Sequence, residues 1–440
     1  SFFLAFYLFM GFWFKYNLSL VFNNGYIFDS GSLRSSNIDS VLLISIYLFL
    51  VLIIANYFAK KLFYYDKFDD VEKRSYLSCI YSKHIKKTLF SFIFLFLIIA
   101  LMNFNLKIYI KFLIFDNNYN LIFINSFKWL ILYGLTTFSC FLLNNNFFKE
   151  KKISILVFLI IFFELFVSNI SMLSRSMLLF GLPIIYSYVF YEKKLNFNLL
   201  LSFIIILVYV SFSILSALTA NEIRANYLKE FQYSLKQETL NGNSIVETDN
   251  LKNAKKFDFQ LNEIDKGEVS GKRMTTFIII NRWIGIDSLI NVSNSDNLSF
   301  PLFFSSFKEK KSKISNTFYE RNFNLENKKP NFFTKKTFIK GNTLPGIFSF
   351  LYYTGSVIFL LICSFIILVT FSFLEKKIYN ISNKNIYYVS FLSHYIVYRL
   401  FNFGYAPKDS YLFILSIILS IFFIYLLESN SIGKRLNNLK

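Results

Sequence analysis

Cysteine and histidine are nearly missing from this chain of 440 residues, which has three Cys and two His. Cys79 falls in a polar stretch, Cys140 and Cys363 in apolar runs, and His84 and His394 lie far apart, with no CxxC anywhere. That scatter speaks against a disulfide framework and against a structural zinc site. There is no GxGxxG, no GxxxxGK[ST] and no GxSxG, so a dinucleotide fold, a P-loop and a nucleophile elbow find no support. Acidic residues are also scarce, 27 against 47 Lys and Arg, for a formal charge of +20. The 59 Phe, with abundant Ile, Lys, Asn and Tyr, match an AT-rich coding bias. That bias explains part of the basic excess as well as any functional reading of the net charge does.

What the chain does have is apolar length. It is 55% hydrophobic and 21% aromatic, and runs of about 20 apolar residues recur along it, the mark of helices that cross a bilayer. The expected fold class is therefore all-α, a polytopic membrane protein. Ten candidate spans follow from the runs: 1–14, 40–59, 88–103, 121–143, 153–169, 176–191, 197–218, 347–374, 386–403 and 410–427. Ser1 sits inside the first run, so the native start is expected upstream.

Orientation is read from Lys and Arg in the short loops. The segments 60–87, 149–152, 192–194, 375–384 and 433–440 carry eight, three, two, three and three of them. The alternate segments 15–39, 104–120, 170–175 and 404–409 carry two, two, one and one. The first set is assigned to the cytoplasm, which puts both termini inside. The chain then divides into a bundle over 1–219, a large outer segment over 220–345 and a second bundle over 346–440.

The outer segment contains "NRWIGIDSLI" (281–290), where an Arg and an Asp interrupt an apolar stretch of helical length. As a helix near 275–292 it places Asn281, Gly285 and Ser288 on one face, and it would either lie at the membrane surface or plug into the bundle. Asp287 is five residues from Arg282, a spacing that does not pair in an ideal helix. A second stretch, "FNLKIYIKFLIF" (104–115), reads as a basic amphipathic helix resting on headgroups, with Lys107 and Lys111 on one face.

Ionisable groups in or against a membrane are costly unless paired or wet, and so are functional candidates. Glu164 falls in the outer half of the fifth span and Arg175 at the turn before the sixth. Glu222 and Arg224 lie just outside the seventh. Arg273, Arg282 and Asp287 belong to the large outer segment. His394 falls mid-span in the ninth and Arg399 near its outer end. Each alone is also explained by a snorkelling arginine or a local salt bridge, and His394 by a bond to a neighbouring helix. Lys128, inside the fourth span, reads as snorkelling. Together, four arginines at the outer surface (Arg175, Arg224, Arg282 and Arg399) suit a phosphate ligand, because the guanidinium fork binds phosphate oxygens in pairs and keeps its charge.

Five stretches, in order, resemble the O-antigen polymerase family, the Wzy-type oligosaccharide repeat unit polymerases of bacterial inner membranes. They are "FMGFWFKYNLSL" (9–20), "SRSMLLFGLP" (174–183), "NRWIGIDSL" (281–289), "NTLPGIFSFLYYTGSVIF" (342–359) and "YRLFNF" (398–403). Each motif is short, and together they span most of the chain. Two departures stand out: the family's acidic residue after Pro345-Gly346 is missing, and Arg399 lacks the usual Gly-Asp after it. The resemblance implies a helical bundle active on its outer face. It implies transfer of a growing glycan from undecaprenyl diphosphate onto another lipid-linked repeat unit, in O-antigen or related polysaccharide synthesis.

On that resemblance Arg175, Arg282, Arg224, Arg399 and Arg273 would bind the diphosphate. Asp287, Glu164 and His394 are the candidate general bases, and Gly285, Pro345 and Gly346 shape the site. No metal and no cofactor are expected. The expected partners are the lipid-linked oligosaccharides, the bilayer and a chain-length regulator protein, and not nucleic acid. An O-antigen ligase-like or other outer-face glycosyltransferase is the nearest rival, although the large outer segment lacks the His such ligases usually carry. A transporter of lipid-linked sugars would predict pseudo-repeats and short loops, and no repeat is found.

Overall fold

A computed structural model of the protein describes residues 2–23, 26–27, 31–32, 38–62, 75–111, 113–115, 119–150, 155–174, 177–192, 199–240, 285–309, 317–323, 331–333, 337–340, 344–403 and 407–428. Ten long helical rods occupy the places of the ten expected spans. They cover residues 2–23, Ile38–Leu62, Ile85–Leu106, residues 121–150, Ile155–Ser171, Met177–Glu192, Leu199–Leu240, Val357–Ile381, Ile386–Phe401 and Tyr411–Glu428, and are called the first to the tenth helix below. Seven contain stretches long and apolar enough to cross a membrane; the fifth, sixth and ninth are 16 or 17 residues long. The protein is an all-α polytopic membrane protein in this sense, with only short strands among the described residues of its loops.

Outward faces confirm the solvent. Phe90, Ile122 and Ile358 are more than 70% exposed, which only lipid tolerates at this density of large apolar side chains. Between helices the lipid-like interior offers little hydrophobic drive, so packing and interhelical hydrogen bonds do the joining. Thr137 Oγ1 and Tyr388 Oη both meet Ser420 Oγ, at 2.9 and 3.0 Å, and Trp129 Nε1 donates to the Ser416 carbonyl at 3.1 Å. Two cores result. One is built from the third to the seventh helices with parts of the ninth and tenth. The other gathers the first, second and eighth helices around 286–292 and 347–353. The ninth helix belongs to both, Tyr387 to Leu392 lying in one core and Val397 and Phe401 in the other.

Loop contacts bear on the side assignment. Lys111 N–H donates to the Met172 carbonyl, Gly346 N–H to that of Phe403, and Leu113–Phe115 pairs antiparallel with Thr337–Lys340, which also pairs with Asn331–Phe333. At the opposite end Ser75 Oγ donates to the Leu427 carbonyl, and Glu428 Oε1 accepts from Asn144 and Asn385. These contacts join segments that the charge count put on the same side. Which face is cytoplasmic rests on that count. Reporter fusions at Lys151 and Lys376 are expected to read cytoplasmic, and those at Asn250 and Lys329 external. A cytoplasmic signal from Asn250 would invert the scheme.

Four expectations need correction. The first helix does not stop at Phe14; it runs to Asn23 through a π turn, Phe9–Phe14, so Lys15 is a helical residue and not a loop charge. The 347–374 run is two elements. A short helix, Gly346–Leu351, ends in a 3-10 turn and Gly355 at φ 74°, and Ser356 then caps the eighth helix by accepting from Phe359 N–H. The stretch 104–115 is not an amphipathic helix. Lys107 at φ 50° ends the third helix, Asn103 clamps the next turn through both backbone polar groups of Tyr109, and the chain leaves as a strand. The seventh helix continues to Leu240, well into the segment assigned to the outer loop.

Candidate functional site

Of the helix expected near 275–292, the described part begins only at Ile286 and runs to Ser293, and Gly285 before it is not helical, so Gly285 and Ser288 do not share a helix face. Ile286, Asp287, Ser288, Leu289, Ile290 and Val292 are all buried. Of the two placements open to it, this is the plug: the helix packs against the second helix and against Gly346–Leu351. Residues 281–284, and Arg282 with them, lie outside the described residues.

Burying Asp287 demands a partner, and the first helix supplies one. Lys15 Nζ stands 3.0 Å from Asp287 Oδ1, with the two side chains only 1% and 5% exposed. The same oxygen accepts from the Gly285 N–H at 3.3 Å. A pair this dry is expensive to desolvate and is held only while both members are present. The π turn sits directly before the lysine: Lys15 N–H bonds to the Met10 carbonyl, five residues back. Such turns insert one extra residue and occur often at functional sites.

Two glycines let the elements meet. A Cβ on Gly285 would lie 2.6 Å from the Gly11 carbonyl oxygen and 3.0 Å from its Cα. Both groups are backbone, so neither side can give way. Gly285→Ala is therefore expected to push the buried helix off the first one, at a cost of about 1–3 kcal/mol in stability. Thermal unfolding in detergent checks this, and an unchanged midpoint would mean the two backbones do not touch. On the other flank, Ser288 Oγ donates to the Gly285 carbonyl at 2.9 Å and meets Ser349 Oγ at 3.0 Å. Ser349 belongs to the helix that begins after Pro345, where Gly346 takes φ 72°, a conformation costly for any residue with a Cβ.

The other predicted residues divide. His394 is buried on the ninth helix, where Tyr7 Oη meets its Nε2 at 3.1 Å and Phe3 lies edge-on to its ring at 5.1 Å. Tyr7 and Lys15 share the first helix, eight residues and so about 12 Å apart. Glu164 is fully buried in the other core and accepts from Ser168 Oγ at 2.9 Å, so it is not part of this cluster. Arg224 donates from Nε to the Leu173 carbonyl at 2.7 Å, closing the turn after the fifth helix. Arg399 lies over the Phe413 ring at 5.9 Å. Arg175 and Arg273 lie outside the described residues.

Sequence reasoning missed Lys15. The signal was there, because the apolar pattern runs on past it through Leu18, Leu20 and Val21, leaving one cation inside a helix and Asp287 still in need of a partner.

No family model, no curated protein and no solved structure matches the chain.

Proposed function

We propose that the protein polymerises lipid-linked oligosaccharide repeat units at the outer face of the bacterial inner membrane. The acceptor sugar hydroxyl attacks the anomeric carbon of the donor glycan. The bond from that carbon to the diphosphate oxygen breaks, undecaprenyl diphosphate leaves, and the hydroxyl proton passes to a base.

One observation carries the reading. Three of the stretches that resemble the polymerase family, distant in sequence, meet at one place: Lys15 and Gly11 from the first, Gly285, Asp287 and Ser288 from the second, Ser349 from the third. The buried ion pair joins the first two and the Ser288–Ser349 contact adds the third, which supports reading them as one site.

Asp287 is the base this arrangement favours. It lies in the segment that also carries Arg282, whereas Glu164 packs in the other core; Lys15 would have to release Asp287, as Tyr7 would His394, before either could take a proton. Fixed positive charge that tightens on the departing diphosphate lowers the barrier without demanding a metal. Arg282 and Arg175, with Arg273 and Arg224, are the groups proposed for it. Holding two lipid headgroups in one cleft supplies much of the remaining rate.

The test is reconstitution. The full chain in nanodiscs, given undecaprenyl-diphosphate-linked repeat units with lipid A core also supplied, should build a ladder of polymer lengths, and should still do so in EDTA. A single transfer onto lipid A core, with no ladder, would instead favour the ligase reading. No transfer of either kind would refute the proposal.

A further inference from the structure

Past the buried helix Ile286–Ser293 and the turn that follows it, Phe300–Ser306 forms a second short helix. Ser299 starts it by accepting from the Leu302 N–H at 3.3 Å, and Pro301 stands in the first turn, where a missing N–H costs nothing. One side of this helix is fixed to the protein. Phe303 and Ser306 are buried, and the Phe303 ring meets those of Phe350 and Phe359 at 5.3 and 5.5 Å. The Ser299 N–H donates to the Tyr353 carbonyl at 2.9 Å.

The other side is apolar and uncovered. Phe300, Phe304 and Phe307 are 46%, 63% and 42% exposed, and on a helical wheel they fall within about 60° of one another. A single exposed phenylalanine needs no explanation, but three in one stripe on so short a helix do. The helix adds little polarity of its own. Ser305 and Ser306 donate their hydroxyls to the Leu302 and Phe303 carbonyls, at 2.7 and 2.6 Å, so both donors are satisfied locally. Lys308 follows the stripe and is exposed, and Lys310, Lys311 and Lys313 come next in the sequence.

The neighbouring surface decides what covers the stripe. The Phe300 ring meets that of Phe359 edge-on at 5.3 Å. Phe359 is the third residue of the eighth helix, next to Ile358, and Ile358, Ile362 and Ile366 form a row along that helix, each more than half exposed. That row belongs to the lipid face of the bundle. The aromatic stripe extends it at the end assigned to the outside, where the chain enters the membrane. An apolar face flanked by lysine is the pattern of a helix lying in the headgroup region, with its rings among acyl chains and its ammonium groups among phosphates.

We infer that Phe300–Ser306 is an interfacial anchor whose Phe300, Phe304 and Phe307 side chains are covered by the acyl chains of the outer leaflet. The place at the membrane surface that the sequence suggested for 104–115 falls to this helix instead. Ser299 follows Ser293, the last residue of the buried helix, by six positions, so the anchor tethers the element carrying Asp287 to the bilayer surface. None of this rests on the polymerisation reading, and the test does not measure polymer.

The experiment uses the full chain with Cys79→Ser, Cys140→Ala and Cys363→Ala, in nanodiscs of phosphatidylethanolamine and phosphatidylglycerol. A nitroxide is placed in turn at Phe300→Cys, Phe304→Cys and Phe307→Cys, so that the loss of one variant to misfolding leaves the others to decide. Power saturation then reads collisions with oxygen, which concentrates among acyl chains, and with a water-soluble nickel chelate. Ile358→Cys on the eighth helix is the lipid standard, and Asp296→Cys, exposed in the turn before the short helix, is the water standard. The ratio of oxygen to nickel collisions at all three positions is expected to match Ile358 and to stand several-fold above Asp296. A ratio like that of Asp296 would put the stripe in water and overturn the anchor. Low collision rates with both reagents would put a protein partner or a second copy of the chain on the stripe, and would overturn it equally.

Discussion

Lys15→Met is expected to lower the yield of folded protein sharply, and Lys15→Met/Asp287→Leu to restore it. The single change strands a carboxylate with the pair's ammonium gone, in a place where the wild-type side chain is 5% exposed. Removing one partner of a buried pair costs about 3–5 kcal/mol, whereas replacing both with apolar groups of similar size is often neutral or stabilising. That cost is a large fraction of the stability of most domains. Asp287→Leu alone should fail for the mirror reason. Monodisperse yield and the thermal midpoint in detergent measure all three. A Lys15→Met protein as stable as the wild type would mean that water reaches the pair. The double variant also separates stability from chemistry. If Asp287 takes the acceptor proton, the restored protein makes no polymer. Polymer from it would reduce the pair to a structural rivet and move the base to His394 or Glu164.

The membrane helices were legible because bilayer thickness imposes a length and a composition that local sequence must meet. What the sequence hid was any feature set by tertiary contact. Lys15 looks like a loop charge until Asp287, 272 positions later, is brought against it. The strand Leu113–Phe115 looks like half of an amphipathic helix until Asn103 turns the chain and Thr337–Lys340 offers it a ladder. Val357 looks like the middle of a long span because apolar content runs straight through Gly355, and only the backbone there shows the break. The candidate site was half legible: Gly285 and Gly346 were singled out, and each has a backbone reason to be glycine. Which candidate base matters could not be read, because Asp287, Glu164 and His394 differ in their surroundings and not in their local patterns.

The second large effect is expected at Arg282 and Arg175. Arg282 precedes Gly285 by three positions in the sequence, and Gly285 is fixed against Gly11. Arg175 follows Ser174, whose N–H bonds to the Asn169 carbonyl at 2.7 Å at the end of the fifth helix. Both belong to stretches that resemble the polymerase family, and both fall in sequence segments that the charge count assigns to the outside. Replacing either by Lys keeps the charge but loses the planar fork that grips two phosphate oxygens at once, which is not conservative at a diphosphate. Arg282→Lys and Arg175→Lys should each leave cells with single capped repeats and little long chain, and the Ala variants should remove the chain altogether. If the two arginines act on one leaving group, the double Lys variant will be hardly worse than the worse single, since residues that work as a unit do not add. If they serve different ligands, their effects on polymer yield will multiply. Chain-length ladders on gels, with protein level measured alongside, decide between these. Wild-type ladders in both Lys variants at normal expression would mean that neither guanidinium touches the diphosphate, and the site proposed here would have to move.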